Sequence, residues 1–573
     1  MNHIYEGAES VVVWLGPERD PVENLSLVMD VGEELARLER EYELKDTTDV
    51  YRFDNFRAQL TGRFSIEHWA SLHHFLCRSY FNRMWILQEV VVAKQLRIFC
   101  GNTEVPWKTV HNVSQVFTAF GRDTMAHFRD RGDFKGDPVG MPDTLELWRQ
   151  RFFDPNEGLR KYFGGLMSSS RGRYFCFLGH DMLYAHFGIC RYGDIKPDYS
   201  KTVEEVYTEF WTHALRKVVN VNILTEVETD IDNPRRRPRW WPGWNRLIRG
   251  DVFPRPPLPS WVPDFQVRRH PPSLTSHYSR TCTFNVSRSP GGDNLGTWHL
   301  DICTATARLS TRGYRIATVA EASESIDEIL FGSQGSCKWC IPRLLQLMLS
   351  VANDSRSYPT PGDRRHAILK TATIWSTIDG ELEEALSNDE IRTRFHLWLL
   401  HTLCQSATHS VCSPQAHKQA QLVGELERDS FFRGIVPSAA EVEAEAVAHR
   451  TFLHERVAAV RSGDDRPMPP VHTIHTADGC GGSTGRASIE HGNKALDELR
   501  LFRTESGLVG KGPQTVVAGD EVWVFPGGSV PFLLRCLRRG KYSLVGHAYV
   551  HGIMHGELVE ELKTKPPEDI ILL

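Results

Sequence analysis

The sequence predicts an α+β protein with an α/β region at its N-terminus, a mainly helical region after it and a small β-rich region at its C-terminus. Three observations carry that reading. Val11-Val-Val-Trp-Leu15 is an unbroken apolar run closed by Gly16-Pro17, the pattern of a strand buried on both faces of a parallel sheet. From Val22 to Leu38 the positions Leu25, Val28, Met29, Gly32, Leu35 and Leu38 recur at three- and four-residue steps, as an amphipathic helix requires. Beyond Leu499, short β-rich runs alternate with turn residues.

At 573 residues the chain exceeds what one hydrophobic core supports, so it divides. The regions are placed at 1–115, 116–257 and 258–573. The first opens with a helix end in His3–Ser10, then the strand Val11–Leu15, then the helix. Only ten residues precede that strand, too few for a further strand and crossover helix, so upstream sequence is expected to be missing or the sheet small. Residues 40–64 read as loop. One helix is expected from Ile66 to about Val92, with Trp69, Phe75, Phe81 and Trp85 on an aromatic face, and a strand follows in Leu96–Cys100.

The middle region is helix-rich, with a boundary at Pro197 and a helix through Val206, Tyr207, Phe210 and Trp211. Asp232–Asp264 is a connector rich in Pro, Arg and Trp, in which regular structure cannot persist. In the last region a strand is expected over Leu309–Ile316. A helical insertion then spans about 338–460, including Ile341–Val351 and Val442–Val460, and a Pro/Gly-rich loop spans 461–495. The strands Arg500–Thr504, Glu521–Phe525, Phe532–Arg535, Tyr542–Val545 and Ala548–Val550 form a small antiparallel or barrel-like sheet.

Composition narrows the function. The apolar fraction of 41 % and charged fraction of 24 % are those of an ordinary globular chain. A formal charge of −5 supplies no field for nucleic acid or anionic lipid. The basic-aromatic cluster Arg235–Trp241 is too short to outweigh that balance, so nucleic acid is not an expected partner. No apolar run reaches the roughly 20 residues of a membrane span, and residues 1–20 lack the features of a secretory signal. An intracellular, cytoplasmic protein with reduced cysteines is expected. Cys337-Lys-Trp-Cys340 has metal-like spacing, but neither a second CxxC nor a regular His pair accompanies it. His401, Cys404, His409, Cys412 and His417 are read as chance neighbours, and no metal site is assigned. Gly479–Arg486 is not a phosphate-binding P-loop, because Ala487 follows Arg486 where a Lys-Ser/Thr step is required. No Ser-His-Asp or Cys-His arrangement has supporting context, and His73-His74 are read as packed or surface residues.

Two blocks carry a resemblance. Ile4-Tyr5-x-x-Ala8-x-x-Val11-x-Val13-Trp14-Leu15-Gly16 resembles the internal block of the fungal heterokaryon-incompatibility (HET) domain. Arg83-Met-Trp85-Ile-Leu-Gln88-Glu89-Val90, with Cys100-Gly101 and Val105-Pro-Trp107, resembles its closing block. Residues 1–115 are thus similar to the C-terminal part of a HET domain, a partial TIR-like fold, and the family's opening blocks are absent, so that the chain begins partway through the domain. Pro197-Asp-Tyr-Ser200 with Val203, Val206 and Tyr207, and Leu258-Pro-Ser-Trp261-Val-Pro-Asp264-Phe265, resemble the segment that trails HET domains. Arg500–Pro513, Gly519-Asp520, Pro531–Arg535 and the run through Tyr542, Gly546, Tyr549, His551, Gly552, Met554, Gly556 and Glu557 resemble the family's C-terminal region.

The resemblance implies a protein of fungal incompatibility and cell-death signalling, acting by self-association or through protein partners and needing no cofactor. It also implies a rival. Trp85-Ile-Leu-Gln-Glu89-Val90 is similar to a TIR helix motif whose glutamate supports NAD cleavage, chemistry that needs a carboxylate beside the ribose to stabilise an oxocarbenium-like state. Under that reading NAD is a substrate and Glu89 is catalytic. The plainer expectation is that Glu89 pairs with Arg83 or Arg97 or caps backbone while Trp85 fills core; a third reading is an inactive truncated paralogue. Tyr549, His551 and His555 either meet a small ligand or serve folding.

Overall fold

The structure is a computed structural model. It describes residues 2–18, 23–41, 63–117, 142–153, 174, 176, 178–189, 195–218, 220–227, 258–266, 284–289, 291–325, 340–359, 363–373, 388–409, 414–448, 451 and 499–573. The connector around Arg235–Trp241, the loop 461–495 with Gly479–Arg486, and Cys337 and Cys412 lie outside them. The chain separates into two compact units. One comprises Met1–Val206, Asn233–Pro256 and Phe265–Arg268; the other comprises Tyr207–Asp232, Pro257–Asp264 and Arg269–Leu573.

In the first unit α1 (Asn2–Gly7) leads into β1 (Val11–Trp14) and α2 (Leu25–Glu41). α3 (Ile66–Leu76), α4 (Ile86–Val91), β2 (Leu96–Cys100), β3 (Thr103–Val105) and α5 (Trp107–Val116) follow. The three strands make one sheet in the order β1-β2-β3, with β1 parallel to β2 and β3 antiparallel to β2. α2 buries Leu25, Val28, Gly32, Leu35 and Leu38 of the expected stripe; Met29 is only half-buried, and Val31, outside the expected stripe, is buried.

Two expectations are corrected here. β1 is parallel as expected but is buried on one face only. Val11 and Val13 are covered, whereas Val12 and Trp14 are 63 % and 64 % exposed, because no described element packs on that side. The helix expected from Ile66 to Val92 is also broken, into α3, a 3-10 turn at Ser79–Asn82, and α4. The cause is Arg78. Its guanidinium, 1 % exposed, holds the Glu23 carboxylate at 2.9 Å and donates to the carbonyl oxygens of Leu15 and Pro17 at 2.7 and 3.0 Å.

Further along come α6 (Pro142–Phe153), α7 (Asp181–Phe187) and α8 (Val203–Val218). The Pro197–Ser200 motif is tied to α7. The Tyr184 hydroxyl donates to the Asp198 carbonyl at 3.0 Å and accepts from its amide at 2.9 Å, while the Tyr199 hydroxyl donates to Asp181 at 2.8 Å.

The second unit is built on β5 (Arg308–Ala322), a strand of 15 residues where a shorter one was expected. It forms a hairpin with β4 (Leu300–Cys303). With β8 (Glu521–Val524), β9 (Phe532–Arg538), β10 (Lys541–His547) and β12 (Glu568–Leu572) it closes a ring in the order β5-β12-β10-β9-β8-β5. The expected barrel-like sheet is therefore closed, and every ring pairing is antiparallel except β10 with β12.

β6 (Leu499–Thr504), β7 (Val509–Pro513) and β11 (Tyr549–Val550) extend from the far half of β5 as a flap. The helical insertion comprises α9 (Pro342–Asn353), α10 (Arg364–Thr373), α11 (Asn388–His409), α12 (Pro414–Arg428) and a helix over 439–448. β6 explains how both cores meet. Successive strand side chains point to opposite faces, so Leu501 joins the helical core with Leu345, Trp398 and Leu426 while Phe502 joins the barrel core with Val522 and Leu533. A last helix, α13 (Val559–Lys563), precedes β12.

Candidate functional site

Glu89 sits on the first turn of α4 with its side chain only 12 % exposed. Arg83, one of its two expected cations, is 3.5 Å from it. The other, Arg97, pairs instead with Glu104 on the neighbouring strand at 2.9 Å. Two phenols complete the surroundings. Tyr80 comes from the 3-10 turn and lies under the Arg83 guanidinium, 5.9 Å from its ring centre, and Tyr5 comes from α1.

Burial first, and the Glu89 carboxylate second, push the Tyr80 hydroxyl well above its ordinary range; the same two causes raise Tyr5, with Arg83 opposing in both. Tyr80 is 8 % exposed, and its hydroxyl is set against the Glu89 carboxylate. The result is a shielded carboxylate with one guanidinium and two protonated phenols around it. Chemically, that set can hold hydroxyl groups or stabilise developing positive charge beside Glu89.

The other motif residues mostly hold the fold. Trp85 caps α4 and is half-buried, so it fills core only in part. Gln88 is buried and donates to the Ala185 carbonyl at 3.0 Å, anchoring α4 to α7. Gly16 and Gly101 face each other at the ends of β1 and β2, joined by the Gly101 amide donating to the Gly16 carbonyl at 2.8 Å. Trp107 opens α5, and its indole N–H donates to Glu146 at 2.6 Å. Trp14 stands exposed on β1.

In the second unit Gly546 lies in β10 against Pro513, and Gly552 forms the turn after β11. Gly556 is held at φ 82°, where a Cβ would strike the Arg288 carbonyl, so a side chain is excluded twice over. Glu557 accepts from the His555 amide at 2.8 Å and closes that turn. The Tyr549 hydroxyl lies 3.3 Å from His551 Nδ1, and the His551 carbonyl accepts from Tyr358 at 3.0 Å. His555 meets the Phe284 ring, which also packs on Tyr549. Burial, with the nearby Lys370 and His366 charges, lowers His551 to about 4. The trailing block Leu258–Phe265 is likewise structural: Trp261 is fully buried with its indole N–H on the Ala307 carbonyl, and Ser260 binds Leu544 and Leu573 backbone.

No group of described residues is arranged to hold a metal, and Cys340 is buried against the Ser406 hydroxyl. His73 is buried beside Cys77. No helix among the described residues is long and apolar enough to cross a membrane. Sequence reasoning did not single out Tyr80, Glu23 or Arg78. A tyrosine and an arginine within a helical period give no signal of their own, and the Glu23–Arg78 pair spans 55 residues.

A short mixed sheet bearing the Tyr5–Trp14–Glu89 blocks, followed by a closed barrel, meets what the comparisons find. Residues 1–89 match the family model for Heterokaryon incompatibility protein (HET), and residues 457–570 match the Het-6 beta-barrel domain. The chain thus carries a region similar to a HET domain and a region similar to a Het-6 barrel. Across its whole length it is 22 % identical to Heterokaryon incompatibility protein 6, OR allele, of Neurospora crassa, covering 80 % of that protein. No solved structure matches.

Proposed function

We propose that the chain acts in fungal heterokaryon incompatibility by self-association or by binding protein partners, leading to cell-death signalling. What supports this is the co-occurrence of the HET match at one end and the Het-6 barrel match at the other with similarity along the full chain to an incompatibility protein. The test is viability after fusion of fungal strains that differ only in carrying this chain. Death confined to the mixed fusions supports the reading, and full viability of every combination contradicts it.

A second reading is favoured by one observation, the buried Tyr80 hydroxyl set against the shielded Glu89 carboxylate. Under it the region is TIR-like and cleaves NAD as substrate, with Glu89 stabilising the oxocarbenium-like ribose and Tyr80 taking a ribose hydroxyl. NAD consumption by purified chain, lost in Glu89→Ala with an unchanged circular dichroism spectrum, supports it. No consumption by either folded protein rejects it.

A further inference from the structure

The formal charge of −5 is not spread evenly over the chain, and one hairpin of the barrel gathers cations against it. β9 and β10 are joined through Arg539-Gly540, with Gly540 at φ 72°. Leu309, Leu572 and Tyr542 form one buried row across β5, β12 and β10. Alternation along the strands therefore turns their neighbours Arg308, Ile571 and Lys541 outward. Arg538 pairs with Lys541, and a bulge between Cys536 and Arg538 sets Leu537 beside it, so that two residues oppose one. Leu537 is 55 % exposed, within a run of four exposed residues from Cys536 to Arg539. The tip is anchored from β12, whose Ile571 amide donates to the Gly540 carbonyl at 3.0 Å.

Arg308, Arg538, Arg539 and Lys541 thus share one exposed corner of the barrel. Arg538 first, then partial desolvation, then Arg308 depress the Lys541 ammonium, so the charges reach one another. Among the described residues no carboxylate pairs with any of the four. Asp569 on the same face holds Arg312 at 2.7 Å, and Asp301 stands on β4, three strand spacings or about 14 Å from Lys541. Cations crowded in this way repel, and an anionic partner relieves the repulsion.

We propose that this hairpin tip docks on an anionic membrane surface, with Arg308, Arg538, Arg539 and Lys541 pairing with headgroup phosphates and Leu537 entering the boundary between headgroups and acyl chains. The apolar side chain inside a basic collar selects this occupant. A free phosphate would use the charges and gain nothing from Leu537. A single-stranded nucleic acid requires exposed rings on which its bases stack; the run Cys536–Lys541 has none, and Tyr542 faces into the barrel. An acidic protein surface requires an apolar contact broader than one leucine. One leucine and four charges give reversible attachment that depends on anionic lipid and weakens with salt. It requires neither reading of the chain's function given above.

The test is flotation of the full chain with phosphatidylcholine vesicles, with and without phosphatidylserine. The proteins compared are the unchanged chain, Leu537→Ser, and the double variant Arg538→Gln with Lys541→Gln. The unchanged chain should float with the anionic vesicles only, and less so as salt rises. The double variant should bind them at least about tenfold more weakly, and Leu537→Ser about threefold or more, each with an unchanged circular dichroism spectrum. No flotation of the folded chain with anionic vesicles, equal flotation with neutral ones, or equal flotation of all three proteins overturns the proposal. Weaker binding by the double variant with full binding by Leu537→Ser overturns the membrane assignment in favour of a plain anion site.

Discussion

Two short strands of nearly the same composition meet opposite fates. β1 is Val-Val-Val-Trp and β8 is Glu-Val-Trp-Val, yet Trp14 is 64 % exposed and Trp523 is fully buried. Residue type does not separate them; neighbours do. β8 lies in a closed ring, where β5 and β9 take both its edges, and Trp523 packs on Tyr542 while its indole N–H donates to Glu521 at 3.0 Å. Among the described residues β1 has a partner on one edge and cover on one face. An apolar run in a sequence reports that a strand exists, whereas whether it is enclosed depends on how many other strands reach it.

The largest effect should come from breaking the enclosed strand. Trp523→Ala is expected to cost about 3–5 kcal/mol, since it removes a fully buried indole and leaves Glu521 short of a donor. Chemical denaturation followed by far-ultraviolet circular dichroism measures this. In the open unit, a comparable loss should need the buried ion pair. Arg78→Leu strands the Glu23 carboxylate and is expected to destabilise by about 3–5 kcal/mol, seen as faster hydrogen exchange around β1 and α2.

A smaller effect is pH-dependent. Burial lowers His551 in the second unit, and His111 and His186 in the first, to about 4 against an ordinary 6.5. Their neutral forms are the folded forms. Each contribution is complete above about pH 6.5 and is lost as pH falls towards 4, amounting to about 3 kcal/mol per histidine at the acid end. His551→Gln should flatten that part of the pH profile in the barrel's unfolding transition; an unchanged slope would contradict the assignment to His551. Smallest of all, Trp14→Ala should alter the folding free energy by no more than about 0.5 kcal/mol, because its side chain loses little cover. A cost as large as that of Trp523→Ala would show that β1 is enclosed in solution.

Legibility in the sequence followed the range of the interactions involved. The strand Leu96–Cys100 and the Arg500–Thr504 strand declare themselves through local period, and the structure has them at or within a residue of those positions; the α2 period is equally plain, though the helix runs about three residues later than expected at each end. β7 was not legible, because Val509-Gly-Lys-Gly-Pro513 reads as turn. Its glycine at 510 serves packing, since a Cβ there would come within 2.6 Å of the Tyr549 carbonyl on the paired strand. The break at Arg78 was hidden because helical period continues through it while its partners come from distant Glu23, Leu15 and Pro17. At the candidate site the Arg83–Glu89 pairing was among the expected outcomes. The convergence of Tyr5 and Tyr80 on that carboxylate required three separate elements to be placed first.

β12 sits between β5 and β10, and its Asp569 pairs with Arg312 across 257 residues of chain. The ring therefore cannot close when β5 is made. The β4–β5 hairpin can form at once, and the helices of the insertion can nucleate on local contacts, but β5 must wait with an open side until the strand Glu568–Leu572 arrives. Closing so long a loop is slow compared with helix formation. During that interval the sides of β8 and β9 that the finished ring covers are open, so the barrel's kinetic hazard is greatest just before the ring closes.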